Sequence, residues 1–279
     1  MPGLTHLIIS SKLRQQMLDV DGNPTFAGWL QSGDWRTARV LAYQHDLVVI
    51  DAEHGAIDLN QIALSIEIMG GNGCLSIVRV PFDSDDRCAF ARRCLDAGAI
   101  GILFPNIQSK DEATRMVQNC YYPTEATPWG KRGFGYGGCN QDGAKFQQYA
   151  AVANDRIVIG CQLENKSAFE DSVLTDILAT EGLVFTQDGP YDHSGSYLCP
   201  GDTSDERVLQ DLARYRTACL SAAVVAGKHV VVPTDDSIRA AVSDGYRFIA
   251  LGTDMLHIHQ GCERVLKSSK VVATRIKKL

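Results

Sequence analysis

The chain holds no Cys-x-x-Cys pair, no run of 18 uninterrupted apolar residues and no surplus of positive charge. Each absence removes a class of protein. The nine cysteines, at 74, 88, 94, 120, 139, 161, 199, 219 and 262, are odd in number and scattered singly. They read as small core hydrophobes in a reducing compartment rather than as a disulfide framework. Without a long apolar run, nothing in the sequence is expected to span a membrane. The net charge of −6, from 27 Lys and Arg against 33 Asp and Glu, disfavours nucleic acid and anionic membrane surfaces as partners. The opening MPGLTHLIISSKLRQQML carries Arg and Gln where a secretory signal needs its apolar stretch. The closing Lys277-Lys278-Leu279 lacks the small residue of a Ser-Lys-Leu peroxisomal address. The expected location is the cytoplasm. There is also no Gly-x-Ser-x-Gly nucleophile elbow. Gly133-Phe-Gly135-Tyr-Gly137-Gly138 neither follows a strand nor opens a helix, so it is no phosphate or dinucleotide loop.

What remains is an ordinary globular composition, 45% hydrophobic and 22% charged over 279 residues, enough for a sizeable core. Short β-branched runs recur at Phe26–Leu30, Leu47–Asp51, Leu75–Val80, Gly101–Phe104, Ile157–Leu163, Gly182–Phe185, His229–Pro233 and Phe248–Leu251. They are continuously apolar, as strands covered on both faces must be. Amphipathic or acid-led segments lie between them, including Leu59–Met69, Asp86–Ala97, Asp111–Asn119 and Glu206–Ala226, the last ended by Gly227. Eight strands alternating with helices predict an α/β fold, a (β/α)8 barrel, with a doubly wound open sheet as the other arrangement. The chain reads as one domain over 1–279, with a lead-in at 1–25 and long connections at 120–156 and 188–205. Long structured connections are usually functional.

Polar residues gather at the strand ends, where a barrel keeps its chemistry. The second strand ends in Asp51-Ala-Glu53-His54, the third carries Arg79, the fifth ends in Gln162-Leu-Glu164-Asn165-Lys166, and the sixth leads to Asp188-Gly-Pro-Tyr-Asp192-His193. Singly, Asp51 and His54 close a turn, Arg79 makes an ion pair, and Glu164 and Asp192 cap helices. Together they supply a general base with an orienting carboxylate, a cation, and two carboxylates suited to a hard divalent metal. Lys166 is a weaker Schiff-base candidate, and His257-x-His259 has divergent spacing for a shared zinc.

The runs DLVVIDAEHGAIDL, VRVP, LDAGAIGILFPNIQSKDEA, YPTEATPWGKRGFGYG, QLENKSA, GPYDHSGS and FIALGTDML resemble, in this order, the HpcH/HpaI family of class II pyruvate aldolases. The resemblance implies a phosphoenolpyruvate/pyruvate-type TIM barrel, its last helix exchanged between subunits, in a homo-oligomer that is commonly a hexamer built as a trimer of dimers. It places a divalent metal on Glu164 and Asp192, with Mg²⁺ expected and Mn²⁺ or Co²⁺ as alternatives. It makes His54 the catalytic base held by Asp51, and sets Arg79 and Gln162 beside a 2-oxo acid. Gly189, Pro190 and Tyr191 fall in the loop whose backbone N–H groups hold the substrate carboxylate. Asp96 matches an aspartate placed near the site, close to a subunit contact. The implied reaction cleaves or forms 4-hydroxy-2-oxo acids through a pyruvate enolate, with a small-molecule 2-oxo acid and an aldehyde as partners.

Two stretches depart from the family pattern. The run from Tyr122 to Gly133 is lengthened, and Thr186–Ser194 stands where many members read Ile-Gly-Pro-x-Asp-Leu-Ser. The first adds Trp129, expected to pack over a barrel mouth, its own or a neighbouring subunit's, against the acceptor. A bulkier acceptor raises an alternative resembling macrophomate synthase, a family relative that decarboxylates oxaloacetate and adds the enolate to a second substrate.

Overall fold

A computed structural model describes residues 12–19, 22–82, 86–135 and 146–276. Eight strands, β1 (Thr25–Leu30), β2 (Leu47–Asp51), β3 (Leu75–Arg79), β4 (Gly101–Phe104), β5 (Val158–Leu163), β6 (Phe185–Asp188), β7 (Val225–Val230) and β8 (Phe248–Leu251), pair in parallel in chain order. The β8–β1 pairing, Thr25 with Phe248 through Ala27 with Ala250, closes the barrel. The expected (β/α)8 architecture is the observed one. The helices are α1 (12–18), α2 (Trp35–Gln44), α3 (Leu59–Gly71), α4 (Arg87–Asp96), α5 (Lys110–Gln118), α6 (Phe146–Asn154), α7 (Asp171–Leu178), α8 (Pro190–Ser196), α9 (Glu206–Ser221), α10 (Asp235–Ser243) and α11 (Asp254–Ile276). Among the described residues no helix is long and apolar enough to cross a membrane.

The strands are apolar on both faces because both are covered. Ala27, Trp29, Val49, Ile77, Leu103, Val158, Phe185, Val225 and Phe248 form a buried cluster inside the barrel. The alternate residues Val48, Ile50, Val78, Ile102 and Ile159 belong to the cluster that packs beneath the helices. Gly160 faces inward without a side chain because the Phe185 ring fills its place: a Cβ there would lie 2.3 Å from that ring. Asp34, Asp58, Asp86, Ser109 and Thr234 cap α2, α3, α4, α5 and α10, each accepting from first-turn N–H groups.

Two elements differ from the sequence expectation. The sixth strand was expected over Gly182–Phe185 but runs over Phe185–Asp188; Gly182, at φ +86°, belongs to the turn before it. The seventh was expected over His229–Pro233 but spans Val225–Val230, and the helix before it ends at Ser221 rather than Ala226. Ala223, at φ +54°, breaks the helix, and Gly227 is a strand residue, not a terminator. A Cβ on Gly227 would stand 2.6 Å from the Thr186 carbonyl oxygen, so close strand packing accounts for the glycine. The first half of the 188–205 connection is not irregular, since it contains α8. Of the glycine-rich run, Tyr136, Gly137 and Gly138 lie outside the described residues, as do Cys139 and Lys277–Leu279.

Candidate functional site

Register places the first pair. On the β2–β3 ladder Asp51 stands opposite Arg79, both at the carboxyl ends of their strands and buried. The Arg79 guanidinium donates from Nε to Asp51 Oδ1 at 2.9 Å and from Nη2 to Oδ2 at 2.7 Å, a two-point match of planar groups. Trp29 Nε1 and Gln31 Nε2 also donate to Asp51 Oδ2, at 3.1 and 3.0 Å. Burial alone would raise the Asp51 carboxyl, but Arg79 and these donors hold it down at about 2. Glu53 joins from the same face, two residues on, its Oε2 2.9 Å from Arg79 Nη1. Gln162 bridges onward: its Oε1 accepts from Arg79 Nη1 at 3.5 Å and its Nε2 donates to Glu164 Oε2 at 2.8 Å.

Above this layer opens a cavity of about 590 Å³, lined by Glu53, His54, Pro81, Phe82, Asn106, Glu164, Asn165, Asp192 and Ser196. All of them follow the carboxyl ends of β2 to β6. Three carboxylates therefore share one concavity. Burial, then the Glu53 and Asp192 charges, push Glu164 up to about 8, against the opposing pull of Arg79 and the Asn106 backbone. Burial raises Glu53 as well. Among the described residues, no Lys or Arg side chain forms an ion pair with Glu164 or Asp192. Gly189 completes the cradle, since a Cβ there would fall 2.2 Å from Glu164 Oε2. Asn106, at φ +50°, turns the end of β4 into the wall, a conformation asparagine tolerates.

Most residues singled out in the sequence come together here, with three adjustments. His54 lines the cavity, but Asp51 does not grip its imidazole. Asp51 Oδ1 accepts from the backbone N–H groups of Glu53 and His54, at 3.1 and 3.2 Å, and is otherwise committed to Arg79. The carboxylate thus closes a local turn over residues 51–54 rather than holding the ring. In the Gly189–Asp192 loop, the Gly189 N–H is used by the sheet, donating to Leu163 O at 3.1 Å, and Pro190 has none. The N–H groups of Tyr191 and Asp192 are the donors left; the Tyr191 side chain is exposed.

Trp129 is not at this mouth. Its ring packs on Tyr121, 5.0 Å between centroids, and against Gly182, which precedes β6. That is the amino-terminal end of the strands, opposite the cavity. Arg132 is there too, donating to Asp96 Oδ1 at 2.7 Å at the last residue of α4. Glu53, Asn106 and Phe82 are site residues to which the sequence alone assigns no role. For Glu53 a signal existed, its two-residue spacing from Asp51.

Behind the cavity lie two histidines of opposite character, His193 wholly buried and His229 partly so. Burial would lower His193, but hydrogen bonds to Asp188 (3.0 Å from Nδ1) and Asp211 (3.1 Å from Nε2) raise it to about 9. His229 stacks on Trp29 at 4.6 Å, and its Nε2–H donates to Gly252 O at 3.0 Å. Burial, with the Arg79 charge adding, depresses it to about 4. The unfolded chain thus binds a proton near pH 6.5 that the folded chain refuses until about pH 4. Folding stability is expected to fall as pH drops through that window, by at most about 3 kcal/mol at pH 4. Urea unfolding of the parent and His229→Gln from pH 7 to 4 should show a shallower acid loss in the variant. Identical slopes would clear His229 of the effect.

The HpcH/HpaI aldolase/citrate lyase family profile matches residues 29–260. The chain belongs to this family. Its members include a hydroxypyruvate/pyruvate aldolase of Paraburkholderia phytofirmans, 29% identical over 92% of this chain and 97% of the relative. Among solved structures, a family protein from Burkholderia cenocepacia superposes with a TM-score of 0.85 at 26% identity, covering 93% of this chain and 99% of that one. Macrophomate synthase superposes at 0.80 with 23% identity, over 95% and 91%, a likeness of fold. Family membership makes the chain an enzyme, a lyase of the aldolase type.

Proposed function

We propose that the chain is a divalent-metal-dependent aldolase that cleaves and forms 4-hydroxy-2-oxo acids through the enolate of pyruvate or a close analogue. The observation that carries this reading is the crowding of Glu53, Glu164 and Asp192 into one cavity beside a buried Arg79 held at two points by Asp51. Three carboxylates with too little protein cation between them, one raised to about 8, fit a site built to accept a hard cation. Glu164 and Asp192 would hold it, with Mg²⁺ favoured over the softer alternatives by an all-oxygen donor set. A cation there supplies Lewis-acid polarisation of the carboxylate and keto oxygens of a 2-oxo acid.

The chain's own residues account for the rest. Arg79 presents N–H groups, fixed by Asp51, Glu53 and Trp29, toward a keto oxygen that gains negative charge. His54 takes the proton of the C4 hydroxyl as the C3–C4 bond breaks, the electron pair passing to the 2-oxo group and the aldehyde leaving. Tyr191 and Asp192 offer backbone donors to the substrate carboxylate. Pro81 and Phe82, the apolar side chains of the cavity wall, face the acceptor. The bulky-acceptor alternative drew on Trp129, whose position at the far end of this barrel withdraws that support. Exposed Met255, Ile258, Val265 and Leu266 on α11 support exchange of the last helix within a homo-oligomer.

The test separates two reactions that share the enolate. His54→Ala is expected to slow aldol cleavage by about 10² to 10⁴, the usual weight of a general base. Oxaloacetate decarboxylation, which needs no hydroxyl proton removed, should change less than about threefold. Assays with Mg²⁺ and Mn²⁺ should follow pyruvate release, hydroxypyruvate consumption and oxaloacetate loss. Equal losses in both reactions would remove His54 from this role.

A further inference from the structure

The two segments bearing Glu164 and Asp192 are tied together by one buried side chain that the reaction itself does not use. His193 is wholly buried and follows Asp192 on α8. One ring nitrogen reaches back to Asp188 at the end of β6, 3.0 Å, and the other reaches out to Asp211 on α9, 3.1 Å. Asp211 is itself fixed by the Tyr197 hydroxyl at 2.8 Å and by Arg214. The flat face of the imidazole lies on Phe169, 4.0 Å between centroids and 5° from parallel. Phe169 closes the short 3-10 turn Lys166–Phe169 that begins two residues after Glu164. A second link runs alongside: the Lys166 N–H donates to Ser196 Oγ at 3.0 Å, and the Ser196 hydroxyl donates to the His193 carbonyl at 2.7 Å. Asp188 and His193 both fall in the stretch that departs from the family's Ile-Gly-Pro-x-Asp-Leu-Ser run. A charged bridge thus stands where that pattern has two apolar residues.

We infer that His193, clamped between Asp188 and Asp211 and stacked on Phe169, is a positioning residue that sets the Asp192 carboxylate against Glu164. This rests on the reading of those two carboxylates as cation ligands. A seven-residue helix cannot fix its own orientation, and α8 is anchored on three sides through this ring. Side chains behind a metal ligand commonly change affinity by about 10- to 100-fold when removed.

The measurement is Mn²⁺ affinity of the full-length protein, from the free-ion electron paramagnetic resonance signal, with circular dichroism and the metal-free thermal midpoint recorded on each sample. His193→Leu keeps the apolar stack and removes both hydrogen bonds; it is expected to weaken Mn²⁺ binding by at least about tenfold. Asp211→Asn, an isosteric change on α9 away from the cavity, is expected to weaken it several-fold and decides the matter if His193→Leu does not fold. A merely structural histidine would lower the thermal midpoint and leave the folded protein's affinity within twofold of the parent. That result overturns the inference. Glu164→Gln serves as the control for the underlying reading. If the parent itself binds no Mn²⁺, or binds it no better than Glu164→Gln, both fall; loss in Glu164→Gln with parent-like His193→Leu and Asp211→Asn removes only the positioning role.

Discussion

Arg79→Ala is expected to lower aldol turnover by at least about 10² to 10³ and to destabilise the fold in the same stroke. The first figure is the usual effect of removing one preorganised donor from a developing oxyanion. The second follows from what is left behind. Asp51 keeps both oxygens buried and loses its two-point partner, and Glu53 loses its nearest cation. Stranding a buried carboxylate this way typically costs about 3–5 kcal/mol. Arg79→Lys separates the two effects. It keeps a positive charge near Asp51, so most of the stability should survive, but one ammonium cannot match both oxygens and still reach a substrate. Turnover of Arg79→Lys should therefore stay well below the parent, while its urea midpoint lies closer to the parent than to Arg79→Ala. An Arg79→Ala variant with parent stability would show that the pair is energetically idle. Undiminished turnover would remove Arg79 from the chemistry.

The parts of this molecule that are pure packing were legible in the sequence. Runs such as LVVID and GILF read as strands because every residue is covered by either the barrel interior or a helix, leaving no polar alternation to confuse the signal. Reading failed where strands carry polar work. β6 ends in Gln187 and Asp188, and β7 carries Lys228 within it, so the most continuous apolar runs, Gly182–Phe185 and His229–Pro233, overlap each strand only at one end. Tertiary contacts outweighed local pattern at those points, as happens where a fold is bent to function. Arg79 and Glu164 were legible for the converse reason: isolated charge at the end of an apolar strand is hard to explain otherwise. The Asp51–His54 side-chain contact is absent because the carboxylate is spent on the backbone N–H groups of residues 53 and 54 and on Arg79, a partner that chain spacing does not reveal. Trp129 lies away from the mouth of its own barrel for a topological reason. Its connection follows α5, and a chain leaving a helix of a (β/α)8 barrel has already returned to the amino-terminal end of the strands. Aromatic and glycine content showed that the loop packs, not where.

Removing the proposed cation, or the Glu164 carboxylate, is expected to have the largest effect on activity and the least on the fold. EDTA should abolish cleavage, and Mg²⁺ or Mn²⁺ should restore it. Glu164→Gln should lose at least about 10² in turnover at saturating Mg²⁺, since even groups behind a metal ligand are worth 10- to 100-fold in affinity or activity. Stability should move the other way. The Gln162 amide can still donate to a carbonyl oxygen at position 164, so the 2.8 Å contact survives the substitution. What disappears is one of three carboxylates that repel each other around one cavity, the same repulsion that, after burial, raises Glu164 to about 8. In metal-free buffer Glu164→Gln is therefore expected to be at least as stable as the parent, and with Mg²⁺ present the parent should regain the difference by binding. Denaturant midpoints with and without Mg²⁺, read beside turnover, test both halves of this claim. A parent whose stability ignores Mg²⁺, or full turnover in metal-free buffer, would separate the carboxylate cluster from any metal and leave its crowding without a purpose.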